Sequence, residues 1–147
     1  MNKIILCSLF LVIFFVGCSQ VSSKTTESSK EKVSNVKILE NKQLEVKEVS
    51  KEKVEKNDQT VKINLSVLNK GKKADGVGSF EFYLESEGKK IEALTDLESL
   101  NGEIEPGKEL KGNIYFKVPK TLDKIHLVYE LEGEKKVSWD LDVKNAK

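Results

Sequence analysis

The chain holds one histidine, His126, and an imidazole is the first side chain to test for chemistry because it titrates and binds metals near neutral pH. A zinc site needs further His, Cys or carboxylate ligands around it, and there is no second histidine to supply one. A Ser-His-Asp hydrolase needs a serine on a strained strand-to-helix elbow, and the G-x-S-x-G pattern that marks such an elbow is missing. Asp140 and Asp142 lie two residues apart, hence on one face of a strand, with Glu130 expected opposite. Paired carboxylates could hold Ca²⁺ or perform acid/base work. A solvated strand face balanced by neighbouring lysines explains them equally well and is the preferred reading. Lys70–Gly78 is rich in glycine but lacks the GxxxxGK[ST] spacing and following helix of a phosphate-binding loop, so a flexible, lysine-rich hairpin tip is expected there. Trp139 lies in step with Val137 and Leu141, which favours core packing over a carbohydrate-stacking platform. No catalytic, cofactor-binding or metal-ligating residue is assigned.

Charge narrows the partners. A third of the residues are charged, and all 25 basic ones are lysine. Bidentate recognition of phosphate or carboxylate is usually arginine's task, so a dedicated nucleic-acid site is not expected. The formal charge is +1, and without Lys3 the count is 24 lysines against 24 acids. Such a balance gives no pull toward a polyanion.

The one cysteine with a chemical context is Cys18. Lys3 supplies a positive start, and Ile4 to Val16 is apolar apart from Ser8. That run is shorter than the about 20 residues a membrane-spanning helix needs, but it suits the core of a secretory signal. Phe15-Val16-Gly17-Cys18 then resembles the lipobox of bacterial lipoproteins, with Phe15 where leucine is commonest. A thiolate is nucleophilic enough to take a diacylglyceryl group, and Gly17 lets a processing enzyme approach the backbone. An ordinary cleaved signal with an incidental Cys18, or an uncleaved anchor, is the alternative. Residues 1–17 are thus expected to be a lipoprotein signal peptide and Cys18 the lipid attachment site, the mature first residue. Cys7 would leave with the signal, so no intramolecular disulfide is expected. Two or three acyl chains on Cys18 would give lasting membrane attachment.

Residues 18–35 read as the lipidated cysteine and a flexible linker, because Ser, Thr, Lys and Glu cannot bury enough surface to fold. About fifteen such residues reach roughly 50 Å fully extended. From Val36 the pattern turns to strands. Val36 with Ile38, and Leu44 with Val46, predict two short ones separated at Asn41, and the charged stretch Lys47–Gln59 reads as a loop or frayed end. Thr60–Asn69 has Val61, Ile63, Leu65 and Val67 on one face; Ser79–Glu85 has Phe80, Phe82 and Leu84; a shorter strand centres on Ile91, and Thr95–Gly102 crosses over. The clearest alternation comes last. Pro106-Gly107 sets a turn, Leu110, Gly112, Ile114, Phe116 and Val118 share a face, and Pro119 stops the strand. Ile125, Leu127, Tyr129 and Leu131 repeat the period, as do Val137, Trp139, Leu141 and Val143, with Gly133 between. Tyr129 also raises a tyrosine corner with Asp123, at a spacing longer than usual.

Short strands at roughly 8–15-residue spacing, turn residues between them and no strong helix predict an all-β chain. The expected fold is an immunoglobulin-like antiparallel β-sandwich over residues 36–144, behind the signal peptide and the disordered linker. Leu65-Ser-Val-Leu-Asn-Lys, Gly102 to Pro119, Leu127-Val-Tyr-Glu and Trp139-Asp-Leu together resemble the telokin-like domain of secreted bacterial lipoproteins. That family is of unknown function and akin to immunoprotective extracellular antigens. The resemblance spans roughly residues 36 to 143 and implies an immunoglobulin-like sandwich behind a lipid anchor, with no catalytic residues to carry over.

The leading functional expectation is therefore a lipoprotein anchored on the extracytoplasmic face of the cell membrane through acyl chains on Cys18. It would display a module that binds an unidentified envelope or secreted protein, with no nucleic acid and no cofactor. A structural or accessory subunit of an envelope assembly, such as a transport or conjugation apparatus, is the alternative. A hydrolase or metal-dependent enzyme is the remote one.

Overall fold

A computed structural model describes residues 35–146. The expected signal peptide, the lipidated Cys18 and the linker up to residue 34 lie outside the described residues. Ten strands and one 3-10 turn follow in order: β1 Val36–Ile38, β2 Lys42–Val54, β3 Asp58–Asn69, β4 Asp75–Gly78, the turn Ser79–Glu81, β5 Phe82–Ser86, β6 Lys89–Glu92, β7 Asn101–Ile104, β8 Glu109–Pro119, β9 Lys124–Leu131 and β10 Glu134–Asp142. They form two four-stranded antiparallel sheets, β1-β2-β3-β8 and β10-β9-β5-β6, and a two-stranded ribbon, β4-β7. The fold is an immunoglobulin-like antiparallel β-sandwich.

Alternation explains the core. Val61, Ile63, Leu65 and Val67 of β3 are each wholly buried, opposite Phe116, Ile114, Gly112 and Leu110 of β8 in register. From the other sheet come Phe82, Leu84, Ile125, Leu127, Tyr129, Trp139 and Leu141. Phe82 and Tyr129 pack with ring centroids 4.9 Å apart, a spacing at which tilted rings attract. The Trp139 indole N–H donates to the Asn35 carbonyl at 3.0 Å, which satisfies its one polar atom, and the ring belongs to the core as expected. Gly112 has a packing reason: a Cβ there would come within 2.8 Å of the Leu100 Cα, so only glycine lets that crossing segment lie on β8.

The turns follow their residues. Pro106-Gly107 makes a tight turn with Gly107 at φ 73° and the Lys108 N–H donating to the Glu105 carbonyl at 2.9 Å. Glu87-Gly88 and Glu132-Gly133 are two-residue hairpin loops with positive φ at both positions, the arrangement whose twist matches the flanking strands.

Three expectations are corrected, and the tyrosine corner that the long spacing disfavoured is absent. Lys47–Gln59 is not a loop: β2 runs to Val54, and β3 begins at Asp58. Register shifts between Val46 and Glu48 and between Lys51 and Lys53 are β-bulges, and each flips the phase of the alternation. Lys70–Gly78 is not a hairpin tip. Asp75–Gly78 is β4, which pairs with β7 and not with β3. Its approach is pinned by buried Asn69, whose amide donates to the Lys73 and Ile104 carbonyls at 2.8 and 2.7 Å and accepts the Gly71 N–H at 2.8 Å. Phe80 does not share the inward face of Phe82 and Leu84, because the 3-10 turn breaks the period ahead of β5. No tyrosine corner forms: the Tyr129 hydroxyl accepts from Lys42 of β2, and the Asp123 carbonyl takes the N–H groups of Val143 and Lys144.

Candidate functional site

Three places on the described residues gather polar or exposed groups beyond what packing needs. The first holds His126. Register places Glu85 of β5, His126 of β9 and Asp140 of β10 in one row across three strands, on the sheet face turned away from the core. His126 Nδ1 lies 2.7 Å from an Asp140 carboxylate oxygen, and the imidazole remains partly exposed. Glu85 turns to Lys135 at 2.8 Å, and that ammonium holds its carboxyl below the usual range. Glu130, expected opposite Asp140, faces Lys135 in register and bonds Lys90 at 3.3 Å. Asp142, at the end of β10, accepts the Lys144 N–H at 2.8 Å. Lys124, Ile125, Leu141 and Asp142 complete the cleft around the His–Asp pair. None of the side chains lining it is a hydroxyl or thiol. Among the described residues no group of three or more His, Cys, Asp or Glu converges as metal ligands. The same outer face buries Tyr83 and Val128, a pair in register, and Lys90 lies 4.3 Å above the Tyr83 ring. The lysine stem shields the aromatic while its charge stays in water.

The second place is Lys42, buried at 4 % exposure although it begins a strand. Its ammonium donates to the Gly76 carbonyl at 2.7 Å and the Tyr129 hydroxyl at 3.3 Å, and pairs with Asp75 at 3.1 Å. Burial by itself lowers its pKa, but Asp75 and the Tyr129 oxygen outweigh that, and the net shift is upward. Burial pushes the Tyr129 phenol up as well, with Glu81 adding to it. Lys42 is thus held as an ammonium and is no free-base nucleophile. It ties β2 of one sheet to β9 of the other and to the β4-β7 ribbon. An adjoining cleft of about 320 Å³ has Leu39 and Leu131 on its walls.

The third place is the turn Ser79–Glu81. Phe80 is 76 % exposed, the most exposed large apolar side chain among the described residues. Its ring lies against Gly78, where any Cβ would overlap it. The Gly78 N–H donates to a Glu81 carboxylate oxygen at 3.1 Å, closing the turn across Phe80. A groove of about 300 Å³ runs from Phe80 past Glu81, Asp75 and Glu103 to Lys42 and Leu131. Sequence reasoning missed both Lys42 and Phe80. A lone buried lysine leaves no pattern, while the Gly78–Ser79–Phe80 succession was the available sign that the strand had not yet begun.

Comparison with known proteins agrees with this architecture. A candidate lipoprotein of Bacillus subtilis, ycdA, superposes with a TM-score of 0.63 at 26 % identity over 76 % of this chain and 39 % of its own. The chain therefore spans about two fifths of that protein. The yjhA protein of the same species gives 0.56 at 12 % identity, covering 76 % of this chain and 97 % of its own. An uncharacterised β-sandwich protein of Clostridium difficile gives 0.50 at 14 % identity, covering 75 % and 91 %. The last two likenesses speak for the fold alone. No curated protein matches the chain. A family model does match, over residues 23–138, and by that match the chain belongs to the family defined by a domain of unknown function, DUF4352.

Proposed function

We propose that this protein is a lipoprotein of the extracytoplasmic face of the cell membrane, anchored through acyl chains on Cys18, and that its β-sandwich is a protein-binding module and not an enzyme. The observation that carries the anchor is the succession of Lys3, the apolar run Ile4–Val16 and Gly17-Cys18. The candidate-lipoprotein standing of ycdA supports it, as does the sequence resemblance to the telokin-like domain of secreted bacterial lipoproteins. The binding role is supported by a rigid scaffold that presents an aromatic side chain to solvent on a short turn, the usual placement of recognition residues.

Mass spectrometry of the membrane fraction tests the anchor. The expected result is a diacylglyceryl-modified peptide beginning at Cys18, with a Cys18→Ser variant lost from the membrane. An unmodified mature terminus, or a Cys18→Ser chain still retained, would overturn it.

A further inference from the structure

We infer that Phe80 and the carboxylates around it form a docking point for a lysine- or arginine-bearing segment of another protein. The inference rests on the protein-binding reading above and names the surface and the chemistry of its partner. Three observations carry it. Phe80 is the most exposed large apolar side chain among the described residues, and its ring lies over Gly78 in the space a Cβ would otherwise occupy. Aromatic side chains are effective anchors because they bring a large contact area with few rotatable bonds.

The second observation is charge. Asp75, Glu81 and Glu103 line the groove beside the ring, against the single cation Lys42. Lys42 faces inward and is committed to Asp75, the Gly76 carbonyl and Tyr129. Glu103 is exposed on β7, and Glu81 spends one oxygen on the Gly78 N–H. The groove therefore presents net negative charge within a domain whose lysines and acids otherwise balance. The third is the backbone floor. Gly76 is exposed, and a Cβ there would meet nothing nearer than the Gly102 carbonyl at 3.8 Å, so a segment can lie close to the ribbon. A cationic side chain over the Phe80 face, with its charge reaching Glu81 or Glu103, would satisfy all three features at once.

Two experiments on the full-length chain test this, the first in mild detergent and the second in cells. In the first, hexalysine is titrated while the backbone amides are followed by NMR. Shifts centred on Gly76, Gly78 and Gly102 are expected, weakening as salt rises, with binding about tenfold weaker in Phe80→Ala and in Glu103→Lys. Leu97→Ala, at another exposed apolar residue, should bind like the parent. Equal hexalysine binding by the parent and Phe80→Ala, or no binding at all, would overturn the inference. So would shifts at the same glycines produced by phosphatidylcholine vesicles and not by hexalysine, or Phe80-dependent self-association, since Phe80 would then contact lipid or a second copy.

In the second, a photocrosslinking residue is placed at position 80, 97 or 38 in intact cells. Crosslinks from position 80 to a lysine- or arginine-bearing segment, lost on Glu103→Lys, support the inference. Crosslinks only from 97 or 38 overturn this surface while leaving the binding-module reading in place. Crosslinks from none of the three overturn both.

Discussion

β2 and β3 are neighbours in one sheet, of similar length and paired along their whole overlap, yet they read in opposite ways. β3 lies between β2 and β8, and every second residue from Val61 to Val67 is sealed in the core. β2 starts the same way, with Leu44 and Val46 buried, and then passes two bulges into Glu48, Lys51, Glu52 and Lys53. Among the described residues, β1 pairs with β2 only from Gln43 to Glu45. The charged half of β2 is thus a sheet edge, and charge and bulges are how an edge avoids pairing with another chain. Clean alternation marks a strand enclosed on both sides. Broken alternation with dense charge marks one that must stay unpaired.

The largest expected effect comes from the enclosed side of this comparison. Ile63→Ala in β3 should cost about 3–4 kcal/mol and Phe116→Ala or Trp139→Ala about 3–5 kcal/mol, through the cavities left behind. Lys51→Ala in β2 should stay within about 0.5 kcal/mol. Urea denaturation checks both, and equal losses in the two strands would break the comparison.

Next is the ion pair at the start of β2. Asp75→Ala deprives a buried ammonium of its carboxylate and should cost about 2 kcal/mol. Lys72→Ala, on the same connection but exposed, should cost under about 0.5 kcal/mol. The pH dependence has a definite sign. The folded Lys42 pKa lies above its ordinary 10.5 and that of Tyr129 above 10.0, so the folded state holds these protons more tightly than the unfolded chain. Their contribution is complete below pH 10 and is lost as pH rises through the shifted values. Thermal melts should show a steeper alkaline decline in the parent than in Lys42→Met. A Lys42→Met domain with the parent's alkaline slope would remove this latch from the account.

The sharpest test of the edge reading is Glu48→Thr with Lys51→Val and Lys53→Thr. Melting should change by about 1 kcal/mol or less. Sedimentation should show association absent from the parent, because the edge keeps only Glu52 of its four charges. A triple variant that stays monomeric would mean that the bulges alone protect the edge.

How much was legible follows the same division. β3, β8, β9 and β10 were readable because each buries one face continuously. The turns at Pro106-Gly107 and Glu132-Gly133 were readable because local backbone chemistry sets them. The last half of β2 was not, since two bulges erase its period. The candidate surface was hidden for another reason. Phe80 sits one residue out of step with Phe82 through a single 3-10 turn, and alternation alone assigns both to one face.

The all-β class, the enclosed strands and the place of Trp139 in the core could be read from the residues alone, because side-chain period and turn propensity are local properties. Only the tertiary structure decided that β4 leaves β3 to pair with β7, that His126 lies in a row between Glu85 and Asp140, and that Lys42 and Asp75 meet beneath Tyr129. Apart from the His126–Asp140 pair, which lies within one hairpin, those pairings join segments far apart in the chain. What selects them is which strands share a sheet and which groups must find partners once buried, and no single stretch of residues contains that information.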